Sequence, residues 1–137
     1  MASYKISDIE GIGPVFAEKL KKVGVKSVRA LLETGGSRKG RKQLSEKAGI
    51  DETLILKWVN HADLYRIKGV GSEYSELLEK AGVDTIKELA KRKAEHLYVK
   101  IVEVNSQGRG LVRQLPGKKI VENWVEQAKK VAPKVTY

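Results

Sequence analysis

Cysteine is absent from this sequence, which removes disulfides, thiol nucleophiles, iron-sulfur clusters and every Cys-based zinc site. Long apolar runs are missing as well. None approaches the roughly 20 residues that a membrane-spanning helix needs, so no membrane partner is expected. The first residues, Met1-Ala2-Ser3-Tyr4-Lys5, lack the apolar stretch of a secretory signal, and a cytoplasmic location is the expectation. There are two histidines. His61 and His96 have no partner at metal-ligand spacing, so neither a metal nor a cofactor is expected. Asp8, Glu10, Asp51, Glu52 and Asp63 read as helix caps, turn residues and solvated charge rather than a catalytic cluster. No nucleophile stands beside a base, so neither an enzyme nor a small-molecule substrate is expected.

What the sequence has in surplus is positive charge. Lys and Arg number 27 against 17 Asp and Glu, a net charge of +10 over 137 residues. Such an excess raises attraction to polyanions, nucleic acid first among them. The surplus divides evenly between residues 1–66 and 67–137, as an extended basic surface would and a charged tail would not. The length suits one domain, or two very small ones sharing a core.

An internal repeat organises the chain. Shifted by 58 residues, Ile9 to Leu31 overlies Ile67 to Leu89 without a gap, and nine of the 23 paired positions are identical, among them Gly11/Gly69, Gly13/Gly71, Leu20/Leu78 and Gly24/Gly82. Further on, a shift of 66 pairs Ile55 with Val121, Trp58 with Trp124, Val59 with Val125 and Ala62 with Ala128. The change of shift places an insertion in the second copy, around Asn105 to Gly110. Two halves follow, 1–66 and 67–137, each a hairpin unit and a Trp-bearing helix. Neither is large enough to bury an adequate core alone, so the two are expected to pack as one pseudo-symmetric domain.

The punctuation of each half is helical. Pro14 suits a first helical position, Phe16, Leu20 and Val23 follow at helical spacing, and Gly24 stands where a left-handed cap is needed, predicting a helix over residues 14–23. Ser72 as N-cap and Gly82 as terminator repeat the pattern, and Ser27 and Thr85 cap the next short helices. Asp51 caps the helix carrying Trp58. Its counterpart runs from about Lys118 to Val131 and stops before Pro133. Tyr98 to Val104 is β-branched enough for a strand, hairpinning through Gly108 and Gly110 onto Leu111-Val112-Arg113, but Leu97, Ile101 and Val104 also make a helical stripe. Helix is the preferred reading. Trp58 and Trp124, with Phe16 and Tyr74, are expected in the core.

The densest information lies in Ile6-x-x-Ile9-x-Gly11-Ile12-Gly13-Pro14-x-x-Ala17-x-x-Leu20 and Leu64-x-x-Ile67-x-Gly69-Val70-Gly71-Ser72-x-x-Ser75-x-x-Leu78. Two glycines permit a very tight loop, the apolar residue between them plugs inward, and a helix starts at once. Backbone N–H groups are then left beside a helix N-terminus, a ready site for phosphate.

The pattern resembles the helix-hairpin-helix family at nearly every position, twice. Members of that family grip the sugar-phosphate backbone of DNA without reading sequence. The spacing of the units and the Trp-bearing helix after each are similar, over almost the whole chain, to a bacterial family of unknown function with two widely separated hairpin units. The resemblance implies an all-α, SAM-like helical domain of duplicated units. It implies phosphate contacts at Gly11, Ile12, Gly13, Pro14 and the residues just after, and at Gly69, Val70, Gly71 and Ser72, chiefly through backbone amides, with Lys19, Lys22, Lys68 and Lys80 nearby. Glu10 departs from this in the first hairpin, and Glu73, Glu76 and Glu79 make the second helix acidic; the first hairpin is the better expected grip.

Arg38-Lys39-Gly40-Arg41-Lys42 is the densest basic cluster, and Arg38, Lys39, Arg41 and Lys42 are candidate phosphate contacts, with solvated surface as the alternative. Nothing resembles a recognition helix for base edges. The expectation is therefore a non-enzymatic, largely sequence-independent DNA-binding module, with RNA or a protein as other partners. Its rival is a protein-interaction scaffold that keeps the hairpins for packing alone.

Overall fold

The computed structural model describes residues 5–9, 11–107, 112 and 114–137. Glu10, Gly108 to Leu111 and Arg113, which figured in the sequence expectations, lie outside the described residues. The described chain is all-helical, with eight α-helices and no strand among the described residues. They are α1 (Pro14–Lys22), α2 (Val28–Gly35), α3 (Arg38–Ala48), α4 (Glu52–Leu64), α5 (Ser72–Lys80), α6 (Ile86–Lys91), α7 (Ala94–Ser106) and α8 (Lys118–Lys130). A 3-10 turn at Ile6–Asp8 precedes α1. Residues 98–104 fall inside α7: Leu97 and Ile101 are buried while Val99 between them is 64% exposed, whereas a strand would put all three on one face.

The helix punctuation follows from capping chemistry. Gly24 and Gly82 have φ of 87° and 93°, a region that other residues rarely enter. Each closes a Schellman motif: the amides of Gly24 and Val25 donate to the carbonyls of Lys21 and Leu20, and those of Gly82 and Val83 to Glu79 and Leu78. Ser27 Oγ accepts from the Ala30 amide, and Thr85 Oγ1 from that of Glu88, each at 3.0 Å. Ser72 differs from its expected role. The N-cap is Gly71, in extended conformation, and Ser72 is the first helical residue. The α5 ladder begins one residue early, with the Ser75 amide donating to the Gly71 carbonyl at 2.9 Å.

The chain divides into two compact units, Met1–Asp63 with Pro133–Tyr137, and Leu64–Ala132. The division falls near the expected boundary after residue 66, but the last five residues belong to the first unit. In unit 1, α3 packs against α1 and α2, and Ile9, Leu20, Leu31, Ile55, Trp58 and Val59 are fully buried. In unit 2, α8 packs against α6 and α7, and α5 against α7, around a core of Leu64, Ile67, Leu77, Leu78, Leu89, Leu97 and Trp124.

Gly40 gives the fold a sign test. It sits inside α3, where glycine ordinarily costs up to about 1 kcal/mol relative to alanine. A Cβ there, however, would run into the Thr34 carbonyl oxygen and come 3.1 Å from Ser37 Oγ, so the α2–α3 turn requires glycine. Gly40→Ala is therefore expected to destabilise the protein by about 1–3 kcal/mol, the usual cost of overpacking, as read by denaturant unfolding.

Candidate nucleic-acid interface

Both hairpins are built the same way from local hydrogen bonds. In unit 1 the Ile12 amide donates to the Ile9 carbonyl at 3.1 Å, closing a tight turn whose third residue, Gly11, has φ of 92°, the place where a type II turn takes glycine. In unit 2 the Val70 amide donates to the Ile67 carbonyl at 3.0 Å, and Gly69 has φ of 95°. The Ile12 and Val70 side chains are buried plugs. Gly13 and Gly71 then serve as extended N-caps of α1 and α5.

These bonds decide which amides remain for a ligand. Ile12 and Val70, both expected to offer their amides, spend them on closing the turns, which corrects the expectation for these two residues. Among the described residues, no acceptor meets the amides of Gly11, Gly13, Val15 and Phe16, nor those of Gly69, Gly71, Ser72, Glu73 and Tyr74. Pro14 has no N–H; it fixes φ for the first turn of α1.

A tryptophan forms the floor of each loop. A Cβ built at Gly11 would lie 3.4 Å from the Trp58 indole Nε1, and one at Gly69 3.3 Å from Trp124 Nε1. Both indoles are 1% exposed. Phe16 lies 5.1 Å from Trp58 at an interplanar angle of 60°, and Tyr74 lies 5.3 Å from Trp124 at 53°, the tilted geometry that ring quadrupoles favour. Sequence reasoning put the tryptophans in the core without connecting them to the hairpins; the shifts of 58 and 66 held that link, since they align both features within one repeat. The hold of Gln127 on the second hairpin was missed altogether. Its Oε1 accepts from the Lys68 amide at 2.8 Å and its Nε2 donates to the Lys68 carbonyl at 3.2 Å, so one carboxamide fastens both sides of the residue before Gly69. No sequence pattern marks that pairing.

Gly13 differs from Gly11 in a telling way. Its φ of −83° is open to any residue, and among the described residues a Cβ there would meet nothing within 4 Å. The fold makes no steric demand for glycine at this exposed cap.

The expected cations are placed as follows. Lys19 and Lys22 are exposed on α1, Lys68 in the second hairpin and Lys80 at the end of α5, with Lys19 Nζ 5.9 Å from the Phe16 ring centroid. Helix α1 has no acid in its first turn and three lysines in its last; α5 carries Glu73 in its first turn and has Lys80 alone as a base in its last. Arg38, Lys39 and Lys42 are exposed on the first two turns of α3.

Arg41 departs from the expected role. It is 5% exposed, its Nη1 donating to the carbonyls of Gly35 and Gly36 at 3.0 Å and its Nη2 to that of Thr136 at 2.6 Å. Burial pushes the guanidinium pKa down, Tyr137 raises it, Arg38 lowers it and Glu52 raises it. The group nevertheless stays charged at neutral pH. Three of its five N–H donors hold the tail onto the α2–α3 turn, and the side chain is buried rather than presented to a phosphate.

No cluster of three or more His, Cys, Asp or Glu that could hold a metal occurs among the described residues. No helix among them is long and apolar enough to cross a membrane. A family model described as Domain of unknown function (DUF4332) matches residues 10–131. No curated protein and no solved structure matches the chain.

Proposed function

The chain belongs to the DUF4332 family, and from that premise we propose that it is a non-enzymatic DNA-binding module whose two hairpins are duplicated helix-hairpin-helix units gripping the phosphate backbone. The observation that carries this reading is Gly13. A glycine that neither backbone conformation nor, among the described residues, neighbouring atoms require, between amides that no described acceptor meets, is what close approach of an outside anion demands. The net charge of +10 supports the same reading. Because the amides and lysines address phosphate and no recognition helix is present among the described residues, binding is largely indifferent to sequence. The lysines of α1 and the acidic start of α5 make the first hairpin the stronger grip. The setting is the cytoplasm.

Titration of labelled duplex, single-stranded DNA and RNA at low and moderate salt tests the reading. With five or six phosphates neutralised, log K is expected to fall with log salt at a slope of about −0.9 per phosphate on duplex, orders of magnitude between low and physiological salt. Failure to bind any of the three at low salt would reject the module and leave the protein-interaction scaffold.

A further inference from the structure

We propose that unit 1 carries a second nucleic-acid site, a groove for single-stranded nucleic acid in which Tyr137 stacks a base while Arg38, Lys39 and Lys42 hold the adjoining phosphates. This rests on the nucleic-acid reading above and uses residues outside the hairpins. Arg38, Lys39, Lys42 and Glu52 line one cleft. Arg38 and Glu52 recur in a second, together with Arg41, Thr53, Leu56 and Tyr137, so the two clefts adjoin. Lys39 and Lys42 thus line one cleft and the Tyr137 ring the other, with the exposed Arg38 and the carboxylate of Glu52 shared by both.

The ring is both exposed and held, and that combination separates it from an ordinary surface aromatic. Tyr137 is 58% exposed. Its hydroxyl donates to Asn60 Oδ1 at 2.7 Å. In the residue before it, the Thr136 amide donates to the Gly36 carbonyl at 2.8 Å, while the Thr136 carbonyl accepts from Arg41. The Arg41 guanidinium lies 5.9 Å from the ring centroid. A ring fixed before the ligand arrives loses little rotamer freedom on binding. A positively charged groove with an aromatic platform is the arrangement that takes single strands, because every base has a π face and stacking needs no particular sequence. A duplex keeps its bases stacked on one another and has none to offer.

The test measures the full-length protein against short oligo-dT, oligo-rU and a duplex of equal length, for the wild type, Tyr137→Leu, Tyr137→Trp and the double variant Arg38→Glu/Lys42→Glu. Tyr137→Leu is expected to weaken single-strand binding about fivefold or more with duplex binding unchanged, and Tyr137→Trp to retain it. The charge-reversed variant, altered only at exposed positions, is expected to flatten the single-strand salt dependence, its slope falling by about 0.7 for each phosphate that is no longer neutralised. Thermal unfolding separates a loosened tail from a missing platform. Wild-type binding to duplex but not to either single strand overturns the groove while leaving the hairpins standing, as does unchanged single-strand binding in Tyr137→Leu. Binding to none of the three overturns the hairpin reading itself. The dT and rU arms distinguish deoxyribose from ribose.

Discussion

Arg41→Ala is expected to destabilise unit 1 by about 2–4 kcal/mol, the largest stability effect of any basic residue in the α3 cluster. The side chain donates to three carbonyls from a buried position. Hydrogen bonds from a charged group contribute about 1.5–3 kcal/mol each, and the exposure of Thr136 lets water recover part of that contribution. Burial lowers the guanidinium pKa, but arginine does not titrate in the accessible range, so the effect should be the same from about pH 5 to pH 9. Arg41→Lys is expected to restore only a fraction, since one ammonium cannot reproduce a planar fork that spans both the α2–α3 turn and the tail. Lys39→Ala, on the solvent side of the same helix, is the control and should change stability by about 0.5 kcal/mol at most. Denaturant unfolding of the three variants at two pH values checks the ordering.

Gly13→Val is expected to weaken DNA binding about ten- to a hundredfold with the fold intact. The branched side chain fits the extended backbone of the cap and meets open space. It fills the space between the amides of Gly11 and Val15, so a phosphate forgoes one or two charge-assisted hydrogen bonds, each contributing about 1.5–3 kcal/mol. Substitution at Gly11 makes a poorer probe, because φ of 92° strains any side chain, with a Cβ already in contact with Trp58. Equal affinity of Gly13→Val and the wild type at low salt, with matching circular dichroism and unfolding midpoint, would show that no ligand approaches this cap.

Much of the fold was legible because it is written in local chemistry. Gly24 and Gly82, Ser27 and Thr85, and the stripe through Leu97 and Ile101 each act within a few residues, and the repeat supplied two copies of the same message. Ser72 was misplaced by one position for the same local reason: a serine advertises a cap, while the preceding extended glycine takes it. Arg41 was illegible for the opposite reason. Within Arg38 to Lys42 nothing distinguishes one cation from the next; what separates Arg41 is a carbonyl at Thr136, 95 residues away. The pairing of Gln127 with Lys68 spans 59 residues and is equally silent in sequence. In the hairpins, sequence pointed to the loops but not to which amides were already engaged, because the turn-closing bonds of Ile12 and Val70 depend on the dihedral angles adopted.

The return of residues 133–137 to unit 1 sets the order in which the two units are completed as the chain is made. Every residue of Leu64–Ala132 emerges from the ribosome before Thr136 exists to meet Gly36 and Arg41. At about 5–20 residues per second, unit 1 waits on the order of ten seconds for its closing segment. During that interval the Arg41 guanidinium has only two of its three carbonyls, so unit 1 reaches its final form only after all of Leu64–Ala132 has been made.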